Sequence, residues 1–449
     1  MGICAITFII YLDTSIAPVA IPTITDRLGG GDTAAQWILD SYTLAFACLL
    51  LSGGLLGARF GTRRILLGGT AAFGIASVAC AIAPTMNVLI AGRGLQGACA
   101  AVVVPLSIAA LTENFPDPRA RAKAIGIWGG TAGVALALGP LVGGVLVSSA
   151  GWQSLFWINA PIALGAWIAL RMSSRVESVA RRGKVDVIGQ VFFVAVGAGA
   201  TLALVEGPHQ GWTHPFVLFA TAVAAAALML FVWWERRTET PMLPPGLLRI
   251  PEVFVACAVN FFGLFGLYGV LFILTLHLQG ALGLSPMETG LQFLPLFGAI
   301  GAGSLGASYV AGRLGIRATM LVGLGSICVG LLGLMSIPAG MPFAVYGVAL
   351  ALLGIGIPLS GGVVAIAAMV NAVPTEWVGA ASGAMNTFRQ FGAVFGVAIA
   401  AIASPRVGSE VTSMSATFAI AALGALAGVI MTVVALRPSK AKERRGQAT

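Results

Sequence analysis

Gly126-Ile127-Trp128-Gly129-Gly130-Thr131-Ala132-Gly133 leads, after the five apolar residues 134–138, into Gly139-Pro140-Leu141-Val142-Gly143-Gly144. In water such a helix would lose about 1 kcal/mol for each glycine and about 3 kcal/mol for the proline relative to alanine. Inside a bilayer the same residues are tolerated, because neighbouring helices re-satisfy the backbone groups that proline frees and glycine lets two backbones approach closely. Residues 122–148 therefore read as a kinked membrane helix packed against its neighbours.

The composition extends that reading to the whole chain. Of 449 residues 58% are hydrophobic and only 9% charged, with a mean hydropathy of +0.96, against roughly 25% charged in soluble domains. Glycine, at 60 residues, is used nearly twice as often as the roughly 7% average, as expected where helices associate through small residues. Apolar windows of about 20 residues, enough to cross roughly 30 Å of hydrocarbon, recur along the sequence. They fall near 3–22, 36–57, 64–83, 86–111, 122–148, 153–170, 187–206, 214–234, 252–278, 287–311, 318–338, 342–370, 378–403 and 412–436. An all-α integral membrane protein of about fourteen transmembrane helices is expected.

The formal net charge is +9, from 25 Lys and Arg against 16 Asp and Glu. Its distribution reports topology rather than a nucleic-acid partner. Twenty-one of the cations lie on alternate connections, around residues 59–64, 119–123, 171–184, 236–249, 313–317 and 437–445, whereas the opposite connections hold only Arg27 and Arg406. The positive-inside rule then puts both termini in the cytoplasm, which requires an even number of spans. Trp37, Trp152, Trp212, Trp234 and Trp377 stand near predicted span ends, where an aromatic belt would place them. Cys4, Cys48, Cys80, Cys99, Cys257 and Cys328 occur singly in apolar stretches, a spacing that frames neither a disulfide scaffold nor a metal site. The first residues lack a basic segment and a small-residue cleavage site, so they read as a spanning helix that a short polar leader would precede.

An internal repeat divides the chain. Gly57-Ala58-Arg59-Phe60-Gly61-Thr62-Arg63 follows the second predicted span and Ala311-Gly312-Arg313-Leu314-Gly315-Ile316-Arg317 follows the tenth, both carrying R-x-G-x-R. The expected organisation is an N-terminal six-helix half (1–172), a segment of cytoplasmic linkers with an inserted helix pair (173–250), a C-terminal six-helix half (251–437) and a basic cytoplasmic tail (438–449). Many secondary transporters build an alternating-access site near the midplane from repeated halves of this kind.

Further segments carry a family resemblance. They are Leu12-Asp13-Thr14 with Val19-Ala20-Ile21-Pro22, Arg93-x-x-Gln96-Gly97, and Gly126 with Gly139-Pro140 and Gly143-Gly144. Phe156-Trp157-Ile158-Asn159-Ala160-Pro161, Leu284-Ser285-Pro286 with Gly290-Leu291, and Gly379-Ala380-Ala381-Ser382 with Asn386-Thr387-Phe388-Arg389-Gln390 add to them. Together they resemble the major facilitator superfamily, specifically its fourteen-spanner drug:proton antiporter family. The resemblance implies the major facilitator fold, with two six-helix halves and an inserted central helix pair. It associates Arg93 with proton coupling and makes Gly126, Gly139, Pro140, Gly143 and Gly144 an antiporter motif, with Ala135 where a further glycine is usual. One departure stands out: the family's loop after the second helix usually reads G-x-L-x-D-R-x-G-R-R, and here Ala58 replaces the Asp beside Arg59, Gly61 and Arg63. In the family that Asp is thought to pair with cations of neighbouring helices when the cytoplasmic side is closed. Either the pairing is made elsewhere in this chain or its conformational equilibrium is altered.

Ionisable groups inside a bilayer are costly and mark function by default. Asp13 lies nine residues before Pro22, roughly 13 Å from the end of the first span at about 1.5 Å per residue. Arg93 lies roughly 10 Å into the fourth span from the same side by the same rise. Asp40 enters the second span from that side too, and the three are expected to share one polar cluster. Burial disfavours a charged carboxylate and a neighbouring arginine favours it, so arrival of a proton or substrate can tip the balance. Arg389 has no acid at equal depth in its own half and is expected to bond Asn386, Gln390 or backbone carbonyls. Candidates for a substrate cavity are Trp37, Tyr42, Gln96, Trp128, Asn159, Asn260, Tyr268, Gln292 and Arg389. Glu113 and Glu376 are expected at the cytoplasmic edge, Glu206 and Glu288 at the outer rim, and His209, His214 and His277 at outer loops or helix ends rather than on a metal.

Gly301-x-Gly303-x-x-Gly306 spells a dinucleotide fingerprint but sits inside an apolar span with no strand before it, so it reads as a close-packed helix face. Without a Walker A, H-E-x-x-H or G-x-S-x-G sequence, the chain is expected to be no enzyme, to need no cofactor and to draw its energy from a proton gradient. The expected function is alternating-access antiport, exporting a drug or other small amphipathic substrate in exchange for protons across a bacterial inner membrane, by a chain functional as a monomer. A dedicated exporter or symporter of a single natural product or metabolite is the alternative, and a non-transporting membrane scaffold or sensor is a third.

Overall fold

The computed structural model describes residues 1–115, 117–172, 186–238, 241–244, 246–335, 343–370, 372–374, 377–403 and 410–436. Their regular structure is helical. In chain order the helices are α1 (Gly2–Leu28), α2 (Gly31–Phe60), α3 (Thr62–Ala81), α4 (Met86–Asn114), α5 (Pro118–Ala150), α6 (Ser154–Trp157), α7 (Asn159–Met172), α8 (Val187–Gln210) and α9 (Pro215–Glu235). They continue with α10 (Pro251–Leu276), α11 (Pro286–Gln292), α12 (Leu294–Leu314), α13 (Ile316–Met335), α14 (Phe343–Ser360), α15 (Gly362–Val370), α16 (Val378–Ala403) and α17 (Glu410–Ala435). Among the described residues twelve helices are long and apolar enough to cross a membrane, thirteen with α5, which bends by 43° between Leu136 and Leu138. The sequence led us to expect about fourteen. The 30-residue α2 is outside that count, although it packs in the same bundle beside α4 and α16. The tail 438–449 and the linker residues 173–185, with Glu376 and Arg406, lie outside the described residues.

Polar side chains fix where several helices begin. Asp117 Oδ2 accepts the Ala120 N–H at 2.8 Å at the start of α5, and Asp186 Oδ1 accepts that of Gly189 at 2.8 Å at the start of α8. Ser285 and Glu288 form a reciprocal capping box on α11. The backbone N–H and hydroxyl of Ser285, both 2.8 Å from Glu288 Oε2, hold that carboxyl below the usual glutamate range.

The repeated loops have the same geometry. Gly61 ends α2 at φ 93° and Gly315 ends α12 at φ 83°, in the left-handed region that favours glycine. Beyond each, an arginine reaches back to a helix end: Arg63 Nη2 donates to the Arg171 carbonyl at 2.8 Å and Arg317 Nη2 to that of Val433 at 2.9 Å. Helix pairing repeats as well. α1 packs on α5 as α10 does on α16, α2 on α4 as α12 on α14, and α3 on α7 as α13 on α17. Glycines set the closest approaches: a Cβ on Gly97 would stand 2.1 Å from the Tyr42 carbonyl oxygen, and one on Gly354 would stand 2.1 Å from that of Leu296.

The two six-helix sets meet along two seams, α2 with α16 and α5 with α11 and α12. At the second seam a Cβ on Gly290 would stand 2.2 Å from the Pro140 carbonyl oxygen, and one on Gly144 would stand 2.7 Å from Met287 Cα. The inserted pair α8 and α9 lies over the first. Gln190 Nε2 donates to the Cys48 carbonyl at 2.7 Å, and Phe193 packs edge-on against Phe391 with ring centroids 5.7 Å apart. Not every tryptophan expected in the belt faces outward. Trp152 is only 3% exposed and packs edge-on against Phe156, because Gly151 turns the chain back into the bundle at φ 78°.

Candidate functional site

Five helices bring one polar cluster together inside the N-terminal set. Asp13 of α1 is 0% exposed and Arg93 of α4 is 1% exposed, and the Arg93 Nη1 group donates to Asp13 Oδ2 as a buried ion pair. Taking two charges out of water costs several kcal/mol per ion unless pairing and further hydrogen bonds compensate. Here they do. Asp13 Oδ1 accepts from Asn159 Nδ2 of α7 at 2.7 Å and from Gln96 Nε2 at 3.3 Å. Arg93 also donates to Gln96 Oε1 at 3.0 Å and, through Nε, to the Ile38 carbonyl of α2 at 3.2 Å. Its buried guanidinium lies 4.4 Å from the Tyr42 ring centroid and 5.8 Å from that of Phe156, a cation–π arrangement. Gln96 Nε2 donates onward to Ser77 Oγ of α3 at 2.8 Å, and Cys80 Sγ stands 3.4 Å from Gln96 Oε1.

Two glycines of the α5 run, Gly139 and Gly143, pack against α1 beside this cluster. A Cβ on Gly139 would stand 1.8 Å from Ser15 Oγ, two residues along α1 from Asp13, and one on Gly143 would stand 3.2 Å from Ile16 Cβ. Ser15 Oγ reaches the Ala135 carbonyl at 3.4 Å beside the bend in α5. Proline at 140 removes the backbone donor that would meet the Leu136 carbonyl, one residue from the carbonyl that Ser15 bonds. The same segment of α5 touches α11 through Pro140 and Gly144. The α5 glycine run is thus a shared backbone surface between the ion-paired helix and the C-terminal set.

The family description Major Facilitator Superfamily matches residues 3–397. The chain belongs to the major facilitator superfamily. This major facilitator is 36% identical over 394 residues to the multidrug resistance protein Stp of Mycobacterium tuberculosis, covering 87% of this chain and 73% of that one. It is 37% identical over 394 residues to the methylenomycin A resistance protein of Streptomyces coelicolor, covering 86% and 81%. With the puromycin resistance protein pur8 of Streptomyces alboniger it shares 35% over 411 residues, covering 88% and 79%. A solved D-xylose-proton symporter superposes with a TM-score of 0.70 at 14% identity, covering 98% of this chain and 97% of that one, a likeness of fold alone. The chain is a multi-pass membrane transporter and not an enzyme.

In this major facilitator the other sequence-predicted residues divide. Tyr42, Gln96 and Asn159 join the Asp13–Arg93 cluster directly. Trp128 adjoins it at one remove, edge-on to Tyr11 with centroids 6.3 Å apart and donating to Ser107 Oγ at 2.9 Å. Tyr268, 6% exposed, lies within electrostatic reach of both Arg93 and Arg389. Asn260 instead fastens the break between α14 and α15, accepting the Gly362 N–H at 3.3 Å, and Gln292 bonds to the Tyr346 hydroxyl. Trp37 is partly buried on α2.

Two expectations change. Asp40 makes no hydrogen bond to the charge cluster: it is 0% exposed, and neither carboxylate oxygen has a hydrogen-bond partner among the described residues. On α2 it lies about 200° around the helix from Tyr42, whose ring faces Arg93, because each residue advances about 100°. Arg389 does not bond Asn386, which donates to the Ser382 carbonyl at 3.0 Å, and Arg389 Nε has no acceptor among the described residues. The side chains of Ala58 and the surroundings of Gly126 lie outside those described, while Arg59 stacks 5.3 Å from the Phe60 centroid. Sequence reasoning missed Ser77, Cys80 and Phe156. A serine and a cysteine at i and i+3 on an otherwise apolar α3 were the available signal.

Proposed function

We propose that this major facilitator exports a small amphipathic compound, of the antibiotic class named in its relatives, by exchanging it for protons. The buried Asp13–Arg93 pair, with both carboxylate oxygens engaged, is the observation that carries this reading. Protonating Asp13 cancels its attraction for Arg93 and leaves the guanidinium to Gln96, the Ile38 carbonyl and the Tyr42 face. Helix α1, released from α4, then moves against α5 through Ser15 and Ile16, and α5 transmits the shift to α11 through Pro140 and Gly144. Residues 1–172 and 251–437 are the two rocking halves. Helices α2 and α5 complete fourteen spans, and Arg59, Gly61 and Arg63 lie at the cytoplasmic gate of a bacterial inner-membrane protein that works as a monomer. No cofactor is required. One charge moving down about 100 mV releases about 2.3 kcal/mol, which at about 1.4 kcal/mol per tenfold supports a roughly fifty-fold gradient of a neutral substrate.

Relatives named for methylenomycin A and puromycin favour a second reading, a dedicated exporter of one natural product. Proton flux into proteoliposomes holding a pH-sensitive dye tests both, with a panel of lipophilic cations, neutral antibiotics and zwitterions. Flux triggered by several classes and abolished by Asp13→Asn is the expected result. Response to one compound alone supports the dedicated exporter, and substrate-driven flux unchanged in Asp13→Asn removes Asp13 from the coupling.

A further inference from the structure

The Arg-rich end of α9 carries a groove that the transport cycle does not use. Two adjoining concavities, of about 430 and 360 Å³, share Val232 and Arg236. One wall is apolar and open: Leu228, Met229 and Trp233 are 50%, 68% and 47% exposed, and only 22% of the most apolar window of α9 is buried inside the bundle. The other wall is cationic. Arg236 and Arg237 close the first concavity, and Arg249, from the turn before α10, reaches the second. The Arg237 guanidinium lies 4.7 Å from the Trp233 ring centroid, which keeps its charge at the apolar edge.

Among the described residues no carboxylate lies within ion-pairing distance of these three arginines. Glu235, the acid lining the second concavity, is already engaged by the Met242 and Leu243 N–H groups at 3.2 and 2.8 Å. The surface therefore offers a ligand an apolar flank beside three clustered arginine side chains. We propose that this groove binds an anionic phospholipid, its phosphate on Arg236, Arg237 and Arg249 and an acyl chain along Leu228, Met229 and Val232. Such a lipid ties the inserted pair to the start of α10, because the cations come from both sides of the connection between them.

The purified full-length chain is titrated in detergent with dioleoyl-phosphatidylglycerol and, in parallel, dioleoyl-phosphatidylcholine, and retained lipid is counted by native mass spectrometry. Phosphatidylglycerol is preferred, and Arg236→Gln with Arg237→Gln weakens that preference about thirty-fold, each surface arginine contributing roughly fivefold toward an anionic lipid. Arg64→Gln with Arg313→Gln, which removes equal charge from exposed positions on other connections, leaves it intact. Trp233→Ala weakens retention with the net charge unchanged. Equal retention of the two lipids by the unaltered chain, equal losses in both double variants, or complete displacement by inorganic phosphate overturns the proposal.

Discussion

Replacing Gly290 by alanine places a Cβ 2.2 Å from the Pro140 carbonyl oxygen and 2.8 Å from its carbon. Ordinary contact begins at 3.4 Å, so α5 and α11 must separate by about 1.2 Å, and neither atom can rotate away because both belong to backbone. Overpacking of this kind costs about 1–3 kcal/mol. The contact exists only while α5 and α11 are together, so the cost falls on that conformation alone and shifts the population against it by about five- to 150-fold. Spin labels at Ser149→Cys and Leu282→Cys, in a background without the native cysteines, report the separation by pulsed electron resonance. Gly290→Ala is expected to move the distribution to longer distances. Gly298→Ala is the control, since a Cβ there has nothing within 4 Å. A distribution identical to that of the unaltered chain, or an equal shift from Gly298→Ala, refutes the idea that this backbone contact closes one side of the bundle.

Asn159→Ala removes the 2.7 Å donor to Asp13, and loss of a hydrogen bond to a charged group should lower stability by about 1.5–3 kcal/mol in thermal unfolding, with reduced substrate-driven proton flux. Asp40→Leu removes a buried carboxyl whose oxygens have no partner among the described residues, so the unfolding midpoint should rise, by the equivalent of about 1–3 kcal/mol, with substrate-driven proton flux retained; a lower midpoint would mean that Asp40 stabilises the bundle. Glu288 has a depressed pKa, so its contribution to the capping box is complete above the unfolded value of about 4.3 and is lost as pH falls through the lower folded value. The Ser149 to Leu282 label distance should therefore broaden on acidification from about pH 5 to pH 3, and Glu288→Gln should remove that dependence.

Much of the fold was legible because a bilayer leaves few options. Backbone polar groups must be satisfied within each span, so long apolar windows mean helices, and the R-x-G-x-R repeat marks two loops whose glycines and arginines adopt one geometry. The Asp13–Arg93 pair was readable from depth along two helices. Depth says nothing about azimuth, however, and Asp40, at a suitable level, points away from the cluster. Asn260 and Gln292 show the same limit from another side. An amide in a span satisfies its polar atoms with whatever lies nearest, here a helix break and a tyrosine hydroxyl. The contribution of Ser77 depended on Gln96 reaching it across an interface 19 residues apart in sequence.

The hairpin of α8 and α9 covers only one of the two seams, with Gly197 close enough that a Cβ would stand 2.6 Å from Cys48 Sγ and 3.0 Å from the Phe391 ring. Two otherwise equivalent flanks become a front and a back. The α2–α16 flank is screened from the surrounding hydrocarbon by this hairpin, while among the described residues the flank along α5 and α12 has no such screen. The extra pair of spans acts as a blind drawn over one of the two seams.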